Sequence, residues 1–137
     1  MARILIVEDE RDNRDVAGLI LADAGHTVVS ASDGAQGVAL AVCTRPDLIL
    51  MDLLLPALDG WEATRQLKAH PATRHIPVVA FTAQLDEESV ARAIEAGCLA
   101  VIAKPFDLNA FLSSVAEILA RHPCPPQRRR GGEQYAP

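Results

Sequence analysis

The sequence predicts an α/β fold in which five parallel strands alternate with five helices, and three observations carry that reading. Short runs of Val, Ile and Leu recur along the chain, each bounded by polar or turn residues. Between them, apolar residues return at helical spacing, and several of these segments open with an Asp able to cap a helix. Composition agrees, because 50% of the residues are hydrophobic and only 4% aromatic, which suits helices packed on a sheet. Regular alternation implies right-handed crossovers and helices on both faces.

Ile4 to Val7 reads as the first buried strand and ends at Glu8-Asp9. From Asp12 to Ala24, Val16, Leu19, Ile20 and Ala24 recur at helical spacing, and Gly25 suits a C-cap. Thr27 to Ala31 is the second strand. Asp33 is placed to cap a second helix with Ala35, Val38, Ala39 and Val42 on one face, limited by Pro46. The third strand lies in PDLILMDLLLPALDG, Pro46 to Gly60, an apolar run with a lone carboxylate, Asp52, at the strand's carboxyl end. Trp61 to Ala69 forms a helix with Ala63 and Leu67 inward, and it stops near His70-Pro71. Trp61 reads as packing at its start.

Ile76 to Thr82 is the fourth strand, and its apolar core stops at a hydroxyl. Asp86 caps the fourth helix, with Glu87 and Glu88 in the first turn, where the dipole favours anions. Val90, Ala93 and Ile94 face inward, and Gly97 ends it. Leu99 to Ala103 is the fifth strand and stops at Lys104-Pro105. Asp107 caps a last helix that buries Leu108, Phe111, Leu112, Val115 and Leu119.

At 137 residues the chain fits one domain, residues 1–121, large enough to bury a core without disulfides or metal staples. Net charge is -5 and unevenly spread: -7 up to Arg121 and +2 beyond it. An acidic body disfavours nucleic acid as a partner, since sequence-independent binding needs a basic face. From His122 the chain reads HPCPPQRRRGGEQYAP, with no apolar periodicity, and is expected to be a disordered tail. Arg128 to Arg130 carry fewer charges than phosphate or membrane patches usually need. Cys43, Cys98 and Cys124 show no paired spacing and read as reduced thiols. The first apolar run is too short for a signal peptide or a membrane span, so the expected location is the cytoplasm.

In open α/β sheets ligands bind beyond the carboxyl ends of the strands. Four of the five strands end there in a polar group: Glu8-Asp9, Asp52, Thr82 and Lys104. With strand order 2-1-3-4-5, strands one and three are neighbours, so Asp9 and Asp52 stand side by side. Carboxylates this close repel unless a cation sits among them, and hard oxygen ligands suit Mg2+ better than zinc. Lys104 and Thr82 supply a cation and a hydroxyl donor on the far side. This set meets the needs of phosphoryl transfer to a carboxylate, with Asp52 as nucleophile and Mg2+, Lys104 and Thr82 stabilising the equatorial oxygens. An ionised carboxylate needs no general base. The chain has no G-x-x-x-x-G-K-[ST] loop, no G-x-G-x-x-G and no His-Cys metal spacing, so nucleotide binding has little support.

These segments together give the chain its family likeness. Over residues 3 to 120 it resembles the receiver domain of bacterial two-component response regulators, on ILIVEDE, DLILMDLLLPALDG, FTA with Thr82, and AGCLAVIAKPF with Lys104-Pro105. Each segment alone is weak, whereas all four in order at family-like spacing are specific. The resemblance implies a flavodoxin-like fold with Asp52 as phosphoacceptor. It implies that Glu8, Asp9, Asp52 and the backbone carbonyl of Leu54 hold Mg2+, and that Thr82 and Lys104 contact the phosphoryl group. It also implies a cis bond before Pro105. The implied donor is a phosphohistidine on a sensor kinase or a histidine phosphotransfer protein, and the output is protein contact through helix four, strand five and helix five. Such a protein promotes its own phosphorylation and dephosphorylation and is not otherwise an enzyme. The short remainder after Arg121 favours a stand-alone receiver.

The chain departs from the family's commonest pattern at three positions. Val101 stands where an aromatic often precedes the lysine by three, so its switch is expected to work differently. Leu54 and Gln84 flank the path of the water that would hydrolyse the acyl phosphate. Leu54 should slow that loss, so Leu54→Asn is expected to shorten the phosphate half-life; an unchanged half-life overturns the idea. The rival readings are a pseudo-receiver scaffold, a receiver segment of a larger regulator or hybrid kinase, and a phosphatase using Asp52. Phosphatases of the haloacid type usually add an Asp two residues on, where this chain has Leu54.

Overall fold

Each helix among the described residues starts on an acid and follows a strand of four or five mostly apolar residues. The computed structural model describes residues 2–104 and 107–122. Its elements are β1 (Arg3–Val7), α1 (Arg11–Asp23), β2 (Thr27–Ala31), α2 (Gly34–Thr44), β3 (Leu48–Met51), α3 (Gly60–Ala69), β4 (Val78–Thr82), α4 (Glu87–Ala96), β5 (Ala100–Ala103) and α5 (Leu108–Arg121). All strand pairs are parallel and the order is β2-β1-β3-β4-β5, as the alternation predicts. The caps are Glu10, Asp33, Asp59, Asp86 and Asp107, and each side chain accepts a hydrogen bond from a backbone N–H of its helix's first turn. No helix among the described residues is long and apolar enough to cross a membrane.

Alternate residues of the central strands feed two cores. Leu5, Val7, Ile49, Met51, Val78 and Ala80 pack under α2, α3 and α4 with Leu53, Trp61, Ala63, Leu67 and Ala93. Ile4, Ile6, Leu48, Leu50, Val79 and Phe81 pack under α1 and α5 with Ala17, Leu21, Phe111 and Val115. Phe81 and Phe111 stack with ring centroids 5.5 Å apart.

Several inward faces differ from expectation. In α1, Ala17 and Leu21 are buried, while Val16 and Leu19 are 50% and 71% exposed. Apolar residues here satisfy helical spacing in more than one phase, and the sheet selects the phase with the small Ala17. In α2 the buried residues are Gly34, Gly37 and Ala41, whereas Ala35 and Ala39 are exposed. A Cβ at Gly37 would lie 2.7 Å from Val7 Cγ2, so the helix is seated by the absence of a side chain, which a hydropathy pattern cannot register. Ile94 and Leu108, expected inside, are about half exposed: Ile94 lies off the stripe set by Ser89, Ala93 and Ala96 in α4, and Leu108 is the first residue of α5, one turn ahead of the buried Phe111 and Val115. Ala63 and Leu67 of α3 are buried as read. Pro105, Cys124, Arg128 to Arg130 and the remaining tail lie outside the described residues.

Candidate functional site

β1 and β3 run side by side with Val7 paired to Met51, so the residues that follow, Glu8 and Asp52, leave the sheet together. Backbone bonds hold that exit: Asp52 N donates to Val7 O at 3.0 Å and Glu8 N to Ala31 O at 3.0 Å. Glu8, Asp9 and Asp52 each offer a carboxylate oxygen within 4.8 Å of the others. Glu8 and Asp52 are buried and Asp9 is exposed. The sequence reading brings these three together, and the structure agrees.

Lys104 follows β5, separated from β3 by β4. Its backbone N donates to Thr82 O at 2.9 Å. From there the side chain crosses the Phe81 ring, with Nζ 5.2 Å from the centroid, and donates to Asp52 Oδ2 at 3.2 Å and to Glu8 Oε1. The expectation placed Lys104 opposite the acids; it is instead bonded to two of them. One ammonium faces three carboxylates, which leaves a deficit of two positive charges in a cleft where two of the acids are buried. Hard oxygen donors and that deficit fit a divalent cation such as Mg2+. Burial pushes the Glu8 carboxyl above the usual carboxylate range, opposed by its bonds from Lys104 and from Glu10 N at 3.0 Å.

The loop after Asp52 is closely fitted. Leu54 N donates to Asp52 Oδ1 at 3.3 Å, and the Leu54 side chain is half exposed. A Cβ at Gly60 would lie 2.1 Å from Asp52 O, so only glycine permits α3 to start against the strand end. Gly60 N also donates to Leu53 O at 2.9 Å. On the other side of the cleft Thr82 is buried, and its Oγ1 accepts from Gln84 N at 3.0 Å. Gln84 Nε2 in turn donates to the α4 cap Asp86 at 2.9 Å. Val101 pairs with Ala80 and packs against the core under α3 and α4.

Two neighbours of the site escape a reading from sequence. Arg14 donates to Glu8 O at 2.9 Å; its signal is a cation in the first turns of α1, where the dipole disfavours one. Phe81 under Lys104 leaves no signal, because an aromatic inside a buried strand reads as core. Beside the cleft a groove of about 630 Å3 is lined by Val16, Ile20, Phe81, Ala83, Lys104 and Leu108.

Known proteins resemble this chain in sequence and in fold. The family described as "Response regulator receiver domain" matches residues 4–116. Protein PilH of Pseudomonas aeruginosa is 38% identical over 120 residues, covering 88% of this chain and 99% of PilH. The DNA-binding dual master transcriptional regulator RpaA of Synechocystis is 36% identical over 97% of this chain, which spans only 55% of RpaA's length. Among solved structures, the chemotaxis protein CheY4 of Vibrio cholerae superposes with a TM-score of 0.83 at 27% identity, covering 87% of this chain and 99% of CheY4. The receiver domain of sensor histidine kinase PA1611 from Pseudomonas aeruginosa, solved with a magnesium ion coordinated in its active site cleft, superposes with a TM-score of 0.78 at 36% identity, covering 88% and 96%.

Proposed function

Because the chain belongs to the response regulator receiver-domain family, we propose that it accepts a phosphoryl group from a phosphohistidine onto Asp52 in an Mg2+-dependent reaction. It then signals by protein contact in a two-component phosphorelay. The observation that carries this reading is a buried Asp52 carboxylate within ligand distance of Glu8 and Asp9 and bonded to Lys104. Glu8, Asp9, Asp52 and the carbonyl of Leu54 would hold Mg2+, which supplies the charge that offsets the crowded oxygens when bound. An Asp52 oxygen attacks phosphorus while the phosphorus–nitrogen bond to the donor histidine breaks and the imidazole keeps the electron pair. Lys104 donates to the transferred group. The Thr82 hydroxyl already accepts from Gln84 N, which leaves its own proton to donate to a phosphoryl oxygen. The donor is a sensor histidine kinase or a histidine phosphotransfer protein, and the target is a protein. The chain promotes its own phosphorylation and dephosphorylation and no other reaction.

Incubation with Mg2+ and acetyl phosphate tests this by intact mass. The expected outcome is one phosphoryl adduct, stable to acid and labile to base, that is absent from Asp52→Asn and from a reaction without Mg2+. An adduct that survives in Asp52→Asn, or none on the wild type, overturns the reading in favour of a scaffold that works without phosphorylation.

A further inference from the structure

Both sides of the cleft are tied to the same turn of α4. From Asp52 the chain passes through Leu53, whose carbonyl accepts from Gly60 N, and Gly60 packs so closely on Asp52 O that an added Cβ would lie 2.1 Å from it. Trp61 follows directly. Its indole Nε1 donates to Ser89 O at 3.1 Å, in the first turn of α4, and the pair is buried. Arg92, one turn on, lies over the same indole at 4.0 Å from the ring centroid. Ser89 N donates to Asp86 at 3.0 Å, Asp86 accepts from Gln84 Nε2, and Gln84 N donates to Thr82 Oγ1. Every link from Asp52 round to Thr82 is therefore a covalent bond, a hydrogen bond or a contact that no side chain separates.

We propose that Trp61 is a positioning residue that couples occupation of the Asp52–Thr82 cleft to the first turn of α4. The proposal rests on the phosphoacceptor reading, since both ends of the ring are groups that the phosphoryl would touch. When Thr82 donates its proton to a phosphoryl oxygen it keeps its bond from Gln84 N, so a displacement of Thr82 carries Gln84 and the α4 cap with it. When the carboxylate of Asp52 becomes an acyl phosphate, the loop that carries Gly60 and Trp61 shifts. Trp61 closes the ring, so the two displacements reach α4 together rather than separately. A side chain that only packed α3 on α4 would hold that helix equally in both states of the cleft. The indole bond to a helix carbonyl makes the difference testable, because phenylalanine fills much of the same volume without a donor.

The test uses the full chain as wild type, Trp61→Phe and Arg92→Gln, each with Mg2+ and with or without acetyl phosphate. Intact mass reports the adduct, and hydrogen exchange reports the α4 amides. Trp61 is the one tryptophan of the chain, so its emission reports the ring directly in wild type and Arg92→Gln. The adduct is expected on all three proteins. In the wild type it changes α4 exchange and indole emission, while Trp61→Phe loses more than about half of the exchange response and Arg92→Gln a smaller part. An adduct on all three with an undiminished α4 response in Trp61→Phe overturns the coupling and leaves the acceptor reading standing; so does a wild-type adduct that leaves α4 unchanged. If Trp61→Phe does not fold, Arg92→Gln decides, and a response equal to wild type overturns the proposal. No adduct on the wild type removes the acceptor reading and the coupling with it.

Discussion

The two faces of the sheet hold their helices by different means. Under α2 and α3 the helices sit on glycine: a Cβ at Gly34 would lie 2.3 Å from Leu58 O, at Gly37 2.7 Å from Val7 Cγ2, and at Gly60 2.1 Å from Asp52 O. Under α1 the corresponding approach is ordinary, since a Cβ at Gly18 would meet Val28 Cγ1 at 3.7 Å. Trp61 bonds Ser89 O across α3 and α4, and Thr64 Oγ1 lies 3.8 Å from Cys98 Sγ, while on the other side Phe81 stacks on Phe111 and Arg14 of α1 donates to Glu8 O at 2.9 Å. Close backbone contact fixes atoms; side-chain packing fixes volumes. The loop that carries Asp52 is held on the close face, where a small displacement cannot be absorbed by a rotamer change.

The largest test of this contrast is Gly60→Ala. Its methyl meets backbone rather than a movable side chain, so it should cost about 3 kcal/mol, the upper end for overpacking, read as a lower urea midpoint. A loss much under that would mean that the α3 start is not clamped to Asp52. On the other face, Gly18→Ala should stabilise by about 0.5–1 kcal/mol, because it removes backbone entropy inside a helix and meets no obstacle. A destabilised Gly18→Ala would erase the distinction between the faces. The smallest effect concerns pH. His26 follows α1, its Nδ1 accepts from Ala2 N at 3.2 Å, and burial pushes its pKa down, with Asp47 partly opposing. The folded state therefore favours neutral imidazole. Its contribution is complete above the unfolded value of about 6.5 and is lost as pH falls below it toward the folded pKa. Wild-type stability should fall slightly more steeply between about pH 7 and 5 than that of His26→Gln. Equal slopes would show that this turn carries no titrating tie.

What could be read from residues alone follows the same physics. Strand ends, the caps Asp33, Asp86 and Asp107, and the grouping of Glu8, Asp9 and Asp52 were legible because each depends on local pattern and on one rule about parallel sheets, whereas the caps Glu10 and Asp59 were not read. Helix faces were less so. Hydropathy ranks side chains by transfer from water, so it favours Val16 over the buried Ala17 and Ala39 over the buried Gly37. Lys104 was seen as a member of the site but not as a partner of Glu8, because its reach depends on how a long side chain lies over Phe81. Trp61 read as packing, since a bond from an indole to a carbonyl 28 residues on has no sequence signature.

The acid at the head of every helix has a consequence for selectivity. A parallel sheet with crossover helices directs all five helix starts toward the edge that holds Asp52. Each start carries roughly half a positive charge and free N–H groups, so five bare ones would make that rim a general trap for sulfate, nucleotides and other abundant cellular anions. Glu10, Asp33, Asp59, Asp86 and Asp107 each take one of those N–H groups in advance and set a negative charge beside the rest. The rim thereby offers less to stray anions, and the cation in the cleft, Lys104, is already paired with Glu8 and Asp52.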